Sequence, residues 1–434
     1  MKTEPGASPA SPLTAGRVDA AGRGERRAVL PKPARDDVVR ALRHSLGVFL
    51  ALRIFLSIVA LIGIALLPDL TRLSPGVRLG LPPIPLLNNV PGWAAHPITP
   101  GWHNVFTAFE RFDGLWFLSI ARHGYVRGNQ SAVFFPLYPL LIRAVSWAIG
   151  GHPFAASLIV SNAAFLGALF VLFLLTQAEF SDEVARKAVV YAAVFPTAFF
   201  FLAPYSESLF LLLVLLAFWF ARRSRWWLAA PAAFLAALTR NLGVLLVLPL
   251  AAEAIHQALT ARPRRLPVAG LAASAFPVLG AGTYLWFCHA RFGSWLAPIT
   301  QQTSWERHRV SPLTTARMAS QDAYRFMGIY PGGYHTLDWV IGVVVVAAAA
   351  YAIFRFRPSY SLYAWASILA PMSYIFDGRP LLSFPRFAAV IFPVIWAFAR
   401  WTEGRPRAHE LVVGCSAALL GLMLLLFVNW YYIF

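Results

Sequence analysis

The stretch Phe154–Thr176, FAASLIVSNAAFLGALFVLFLLT, decides the fold, because it carries no charge over a length that crosses a bilayer as a helix. At about 1.5 Å per residue, roughly 20 apolar residues traverse the hydrocarbon core. Ser45–Leu67, Ser208–Ala221 and Leu411–Phe434 are also nearly free of charge. The composition agrees: of 434 residues, 58% are hydrophobic and 13% charged, with a mean hydropathy of +0.60. A soluble domain is nearer about a quarter charged, so this chain has too little polar surface to cover a water-soluble globule.

The expected fold class is therefore an all-α integral membrane protein. Hydropathy and helix breakers place about eleven spans, near 45–67, 153–176, 187–203, 206–221, 226–239, 241–256, 267–289, 338–354, 360–377, 385–400 and 410–432. The pair at 226–239 and 241–256 could instead be one long broken helix, which would flip everything downstream. Residues 1–43, rich in Ala, Pro, Gly and Arg, read as a disordered basic cytoplasmic arm. Residues 44–434 read as one transmembrane domain with outer loops at about 68–152 and 290–337. The first loop holds Trp93, Trp102, Trp116 and Trp147, which suits amphipathic helices lying at the membrane interface.

Lys and Arg total 37 against 19 Asp and Glu, a formal net charge of +18. In so apolar a chain this excess is cytoplasmic anchoring, and no nucleic-acid partner is expected. With the N-terminus cytoplasmic, the inner loops should be basic. They hold Arg186 and Lys187; Arg222, Arg223 and Arg225; Arg262, Arg264 and Arg265; Arg355 and Arg357; Arg400, Arg405 and Arg407. The expected location is a cell membrane, multi-pass, with the C-terminus outside. Cys288 and Cys415 lie in apolar segments and form neither a metal-ligand spacing nor a disulfide framework.

The unusual polar residues collect at the outer mouth. Glu110 and Asp113 lie in AFERFDGLWFLSIARHGY (108–125). Tyr205, Ser206, Glu207 and Ser208 form a short turn after Phe195-Pro196, and Thr239, Arg240 and Asn241 form the next. Arg379 and Arg386 flank the last outer loop in DGRPLLSFPRF (377–387). Charge at such depth is expensive unless it is paired or functional. Guanidinia suit a lipid phosphate through bidentate hydrogen bonds, and a carboxylate can take a proton from a hydroxyl within reach. An outer-face transferase would need a sugar donor already carried across the membrane, such as a polyprenyl-phosphate sugar.

RFDGLWFLSIARHGY followed by AVFFPLYPLL resembles the first outer loop of the PIG-V family of mannosyltransferases, which are multispanning GT-C glycosyltransferases. FPTAFFFLAPYSESLFLLL, ALTRNLG and SFPRF continue the likeness in the family's order, from about Ser45 to Trp401. The resemblance implies a GT-C fold and an inverting transfer of a hexose, mannose first, from a polyprenyl-phosphate donor to a hydroxyl of a glycolipid or glycan. Asp113 matches the loop aspartate expected to be the catalytic base. Arg240 and Arg386 would hold the donor phosphate, with Glu207, Asn241 and Tyr205 in support. Phe134, Phe135, Tyr138 and Trp116 would line the substrate groove. The TRNLG segment stands where better-known eukaryotic members are serine-rich. Lys occurs only at positions 2, 32 and 187, and this Arg- and Ala-heavy usage is similar to that of a GC-rich bacterium. That argues against a GPI precursor as acceptor.

Plainer readings stand beside these. Asp113 could cap a helix or pair with Arg111, and Glu207 could cap the helix it opens. FFPLYP (134–139) could simply end one helix and start the next. SWERHR (304–309), with His308, and Asp322 could meet the acceptor. No cofactor is required; Glu110 with Asp113 would be only a partial ligand set for a divalent cation. The alternative function is a polytopic transporter or lipid flippase, although no internal repeat is present and the charges favour one face.

Overall fold

The computed structural model describes residues 29–66, 101–261, 266–303, 306–328, 334–376 and 378–431. Trp93, the basic run Arg262, Arg264 and Arg265, and most of the expected N-terminal arm lie outside them. Helix α1 (Arg35–Leu66) begins inside the segment assigned to that arm, so Arg35–Arg43 is helix and not coil. Short helices α2 (Asn104–Thr107), α3 (Asp113–His123) and α4 (Leu137–Ala148) lie in the described part of the first long loop. Next come α5 (Pro153–Glu179), α6 (Asp182–Ala193), α7 (Glu207–Ala221), α8 (Trp226–Thr239) and α9 (Val247–Thr260). They are followed by α10 (Val268–Ser274), α11 (Phe276–Phe292), α12 (Ala297–Thr300) and α13 (Pro312–Arg325). The chain continues through α14 (His335–Arg355), α15 (Pro358–Leu369), α16 (Phe384–Ala388), α17 (Phe392–Trp401) and α18 (Pro406–Val428). One small ribbon departs from the all-α expectation: β1 (Arg307–Arg309) pairs antiparallel with β2 (Tyr374–Phe376).

Among the described residues, 6 helical segments are long and apolar enough to cross a membrane: Arg35–Leu66, Pro153–Glu179, Asn241–Thr260, Val268–Phe292, His335–Arg355 and Pro406–Val428. The chain is a multi-pass membrane protein by this measure, and a count of about eleven full spans is not confirmed. The other expected segments are shorter or interrupted. Pro196 and a 3-10 turn at Ala198–Phe201 stop α6, and extended backbone at β2 follows α15. A helix stopped inside an apolar region must satisfy its freed backbone groups from neighbours. Here Thr197 donates to the Pro385 carbonyl at 3.0 Å, and Tyr363 to the Val390 carbonyl at 2.9 Å.

The doubtful pair resolves as a hairpin. Arg240 is extended (φ −154°, ψ 151°) and ends α8; a 3-10 segment, Asn241–Leu246, leads into α9. A Cβ at Gly243 would stand 2.4 Å from the Ala236 carbonyl, so only glycine allows the chain to fold back this closely. At the far end, Gln257 of α9 donates to the Ala221 carbonyl (2.9 Å) and accepts from Ser224 (2.8 Å). Helices α8 and α9 are therefore antiparallel.

The two ends of the bundle differ. At one end arginines are tied together by acids from other helices. Arg40 meets Asp182 (3.0 Å), Arg222 meets Glu179 (2.5 Å) and Glu253 (3.0 Å), and Arg357 meets Glu253 (3.3 Å). Ser181 donates to Glu403 (2.9 Å), and the backbone N–H of buried Leu30 donates to the Arg222 carbonyl (2.8 Å). At the other end Asn429 donates to the Gly63 carbonyl (3.0 Å), and Trp430 packs on Phe112. The beginning and end of the described chain thus lie at opposite ends of the bundle, which requires an odd number of crossings.

A cysteine placed at Val126 should accordingly react with an impermeant maleimide from the face opposite to one placed at Arg225, on a background with Cys288 and Cys415 changed to serine. Labelling of both from one face would contradict this arrangement.

Candidate active site

The end of the bundle away from the basic loops gathers four charged side chains from four separate stretches of sequence. Asp113 opens α3 immediately after Phe112, whose φ of 49° is rare for a bulky residue. Burial holds Phe112 in this strained state: its ring packs on Phe427 and Trp430, with centroids 5.7 and 5.0 Å away. The start of α3 lies directly on the PYSES turn, since a Cβ at Gly114 would meet the Pro204 ring at 3.3 Å and its carbonyl at 3.4 Å.

Tyr205 joins these segments. Its hydroxyl donates to the Arg111 carbonyl (3.0 Å), and its own carbonyl accepts from Ser161 (3.1 Å). Ser161 shares a 2.7 Å hydrogen bond with Tyr138. The turn is thereby pinned to α3, α4 and α5 before any charge is considered.

Glu207 is the first residue of α7, where a carboxylate meets the positive end of the helix dipole. Its Oε1 contacts two guanidinia, Arg240 Nη1 at 2.6 Å and Arg386 Nε. Arg386 Nη1 also reaches Asp113 Oδ2 at 2.5 Å. The result is a chain of alternating sign, Asp113–Arg386–Glu207–Arg240, with no net charge. Arg240 donates further to Ser206 Oγ (3.2 Å). Rings close the cluster: the Arg386 guanidinium lies over Tyr205 and Phe200, and that of Arg240 over Phe387. Ser383, left-handed at φ 66°, starts the short helix that carries Arg386.

Exposure is lowest at Glu207 and highest at the Asp113 end of this chain. The Glu207 side chain is 1% exposed, Arg386 6%, Arg240 10% and Asp113 27%. Asp113 is therefore the member a hydroxyl could approach. Glu207 Oε2 and Arg240 Nε, both buried, have no hydrogen-bond partner among the described residues, which leaves unspent acceptor and donor capacity inside the cluster.

Other expected residues fall elsewhere. Asn241 is exposed beside Arg240 and does not enter the ion-pair chain. Arg111 does not pair with Asp113; it donates to the carbonyls of Val428 (3.1 Å), Thr107 (3.1 Å) and Glu110 (3.0 Å). Glu110 is buried, and among the described residues no three His, Cys, Asp or Glu side chains group to hold a metal ion. Trp116 and Tyr138 are fully buried, so neither lines an open groove as expected. Trp116 stacks on Phe134 at 5.5 Å, Phe117 packs on Tyr138, and Phe135 packs on Tyr284 at 4.6 Å. FFPLYP mainly links a 3-10 turn at Ser131–Val133 to α4, because Pro136 cannot extend a preceding helix. His308 sits in β1, and its neighbour Arg307 reaches Ser383 Oγ at 3.3 Å. Ser304 and Trp305 lie outside the described residues.

Sequence reasoning named Arg379, Arg222 and Arg357 but passed over the buried acids that pair with them. Arg379 binds Asp338 at 2.7 Å near the same end. At the opposite end Glu179, Arg222, Glu253 and Arg357 form a second neutral network, joined by Ser359 and Tyr360. Glu253 sits within the span expected at 241–256. A carboxylate inside an apolar span requires a partner, and that signal was available in the sequence.

Residues 84–264 match the family model described as Mannosyltransferase (PIG-V). The matched stretch contains Asp113, Glu207 and Arg240, whereas Arg386 lies beyond it. The match supports a glycosyltransferase. No curated protein matches the chain. Among solved structures, the oligosaccharyltransferase of Archaeoglobus fulgidus, crystallised with zinc and sulfate, is similar over 76% of this chain and 49% of that one, at 13% identity and a TM-score of 0.39. The chain thus spans about half the length of that protein, and a likeness at this score does not establish a shared fold.

The ion-pair chain implies unequal roles for its two acids. Glu207→Ala would leave two buried guanidinia without their shared carboxylate, a loss of about 3–5 kcal/mol for a broken buried pair. Asp113→Asn, at the exposed tip, should keep most of the folded stability. Thermal unfolding in detergent should show a much larger drop for Glu207→Ala; equal drops would contradict the central place of Glu207.

Proposed function

We propose that this protein is an inverting glycosyltransferase that moves a hexose, mannose first, from a polyprenyl-phosphate donor to a hydroxyl of a glycolipid or glycan. The observation that carries the reading is the placement of Asp113, the accessible end of a chain that alternates carboxylate and guanidinium. The family match over residues 84–264 supports it. The site lies at the end of the bundle opposite the loops bearing Arg222, Arg357 and Arg400. By the preference of basic loops for the cytoplasm, the N-terminus is cytoplasmic and transfer occurs on the non-cytoplasmic face.

In this mechanism the donor phosphodiester, a monoanion, binds where Arg386 and Arg240 meet. Its oxygens compete with Asp113 for Arg386, because a guanidinium recognises phosphate and carboxylate through the same planar fork. Donor binding thereby frees Asp113. The acceptor oxygen then attacks the anomeric carbon, and Asp113 takes the hydroxyl proton. The bond from the anomeric carbon to the phosphate oxygen breaks, and the electron pair leaves with the lipid phosphate. Arg386 and Arg240 stabilise the charge that grows there, in a region of low dielectric where such stabilisation is large. Glu207 anchors both arginines, so they are positioned before the donor arrives. No metal enters these steps, and no cofactor is required by them.

The test is transfer of labelled mannose from polyprenyl-phosphate mannose to the lipid extract of an expressing strain. Wild type should move label into a new lipid or glycan, and Asp113→Asn at matched expression should lose about 10²–10⁴-fold, the usual worth of a positioned base. Equal rates would remove Asp113 from the mechanism. No transfer by wild type across several lipid-linked sugars would favour a transporter.

A further inference from the structure

A cleft of 520 Å³ opens between the end of α3, the start of α4, α8 and α11. It is distinct from the ion-pair chain: α3 begins at Asp113 and first meets the cleft at Ile120, about 10 Å further along the helix axis, and none of the four charged members lines it. The lining is mostly apolar. Tyr125 and Tyr284 are buried in its floor, both hydroxyls donating to the Phe134 carbonyl (2.6 and 3.0 Å), whereas Phe287 and Leu238 are partly accessible. Leu140 and Trp286 stand exposed on its walls, 57% and 63% accessible.

Cations sit on this apolar cleft without anions to match. Arg143, Arg291 and His123 line it, and no acidic residue does. All three are exposed, and among the described residues neither arginine forms an ion pair. The Arg291 guanidinium is steered by its Nε bond to the Tyr125 carbonyl (2.9 Å), and Arg127 donates to the Arg291 carbonyl (2.7 Å), bringing a third guanidinium alongside. Arg291 lies in the last turn of α11, at the end of the bundle that also carries Asp113. An arrangement of ring faces and aliphatic walls under a cluster of uncompensated cations is complementary to a hydrocarbon chain with an anionic head.

We propose that this cleft is a binding site for an anionic glycerophospholipid of the surrounding membrane, distinct from the site of the sugar donor. One acyl chain lies against Leu140, Trp286, Phe287 and Leu238, and the phosphate is held by Arg143 and Arg291 with His123 beside them. The bound lipid fills the space between α4 and α11 and fastens the first outer loop to the helical bundle.

The test reads binding and not transfer, so its outcome is independent of the proposed reaction. Purified full-length protein in neutral detergent is titrated with phosphatidylglycerol and with phosphatidylcholine, and retained lipid is counted by native mass spectrometry. Phosphatidylglycerol should be retained well above phosphatidylcholine. Arg143→Glu should lower its retention about tenfold or more, given the work each basic residue contributes at an anionic lipid. Leu140→Trp should lower retention by filling the cleft while leaving the preference for the anionic head unchanged. Equal retention of the two lipids, or unchanged phosphatidylglycerol retention in both variants, would overturn the proposal. Displacement of phosphatidylglycerol by stoichiometric polyprenyl phosphate would also overturn it, by assigning the cleft to the donor.

Discussion

A single carboxylate oxygen, Glu207 Oε1, holds two guanidinia in a part of the protein that water barely reaches. Each arginine alone would be costly to bury, and so would the glutamate. Their mutual pairing fixes where three otherwise independent stretches of chain must meet. Helix α7 must begin at Glu207, the break between α8 and α9 must fall at Arg240, and the short helix at Phe384–Ala388 must present Arg386. Once Arg386 is held on one side by Glu207, its other nitrogen reaches outward to Asp113. In the proposed reaction the same arrangement serves packing and chemistry: a buried anchor orients the arginines, and a partly exposed carboxylate ends the chain.

Much of this was legible in the sequence because hydropathy is a direct reading of the solvent. The run at Phe154–Thr176 became α5, and the alternation of basic loops located one end of the bundle. The four members of the ion-pair chain were all recognisable as charges flanking apolar segments, a placement that has a cost without partners. Which partner each would take was not legible. Arg111 is adjacent to Asp113's segment and looked like its mate, yet it donates to the Val428 carbonyl instead. That choice depends on α18 arriving beside α3, a contact between distant residues that no local pattern records.

Aromatic residues were the least legible. Trp116 and Tyr138 sit in a motif-bearing loop with a groove-like composition, but they are buried as structural packing. Tyr138 acts through Ser161 on the backbone of Tyr205, and Tyr205 in turn lies beneath Arg386. A ring's composition says that it will be buried, not whether protein or ligand will cover it. The count of about eleven spans is not confirmed, for a related reason. Pro196, extended Arg240 and the ribbon residue Phe376 interrupt apolar segments at the end where the site forms. Freed backbone and turn side chains there serve to assemble polar residues rather than to prolong helices.

The two ends of the molecule show the difference that accessibility makes. Glu179, Arg222, Glu253 and Arg357 form a network as well paired as that of the site, but Glu253, Arg222 and Arg357 are all nearly inaccessible. In the other cluster the last carboxylate faces outward, and there the exchange of Asp113 for a lipid phosphate on Arg386 becomes the central claim. A structure determined with polyprenyl phosphate bound tests it most directly. The account predicts phosphate oxygens on Arg386 and Arg240, Glu207 still joined to both, and Asp113 released from Arg386. Phosphate bound elsewhere, with the Asp113–Arg386 pair intact, would contradict it.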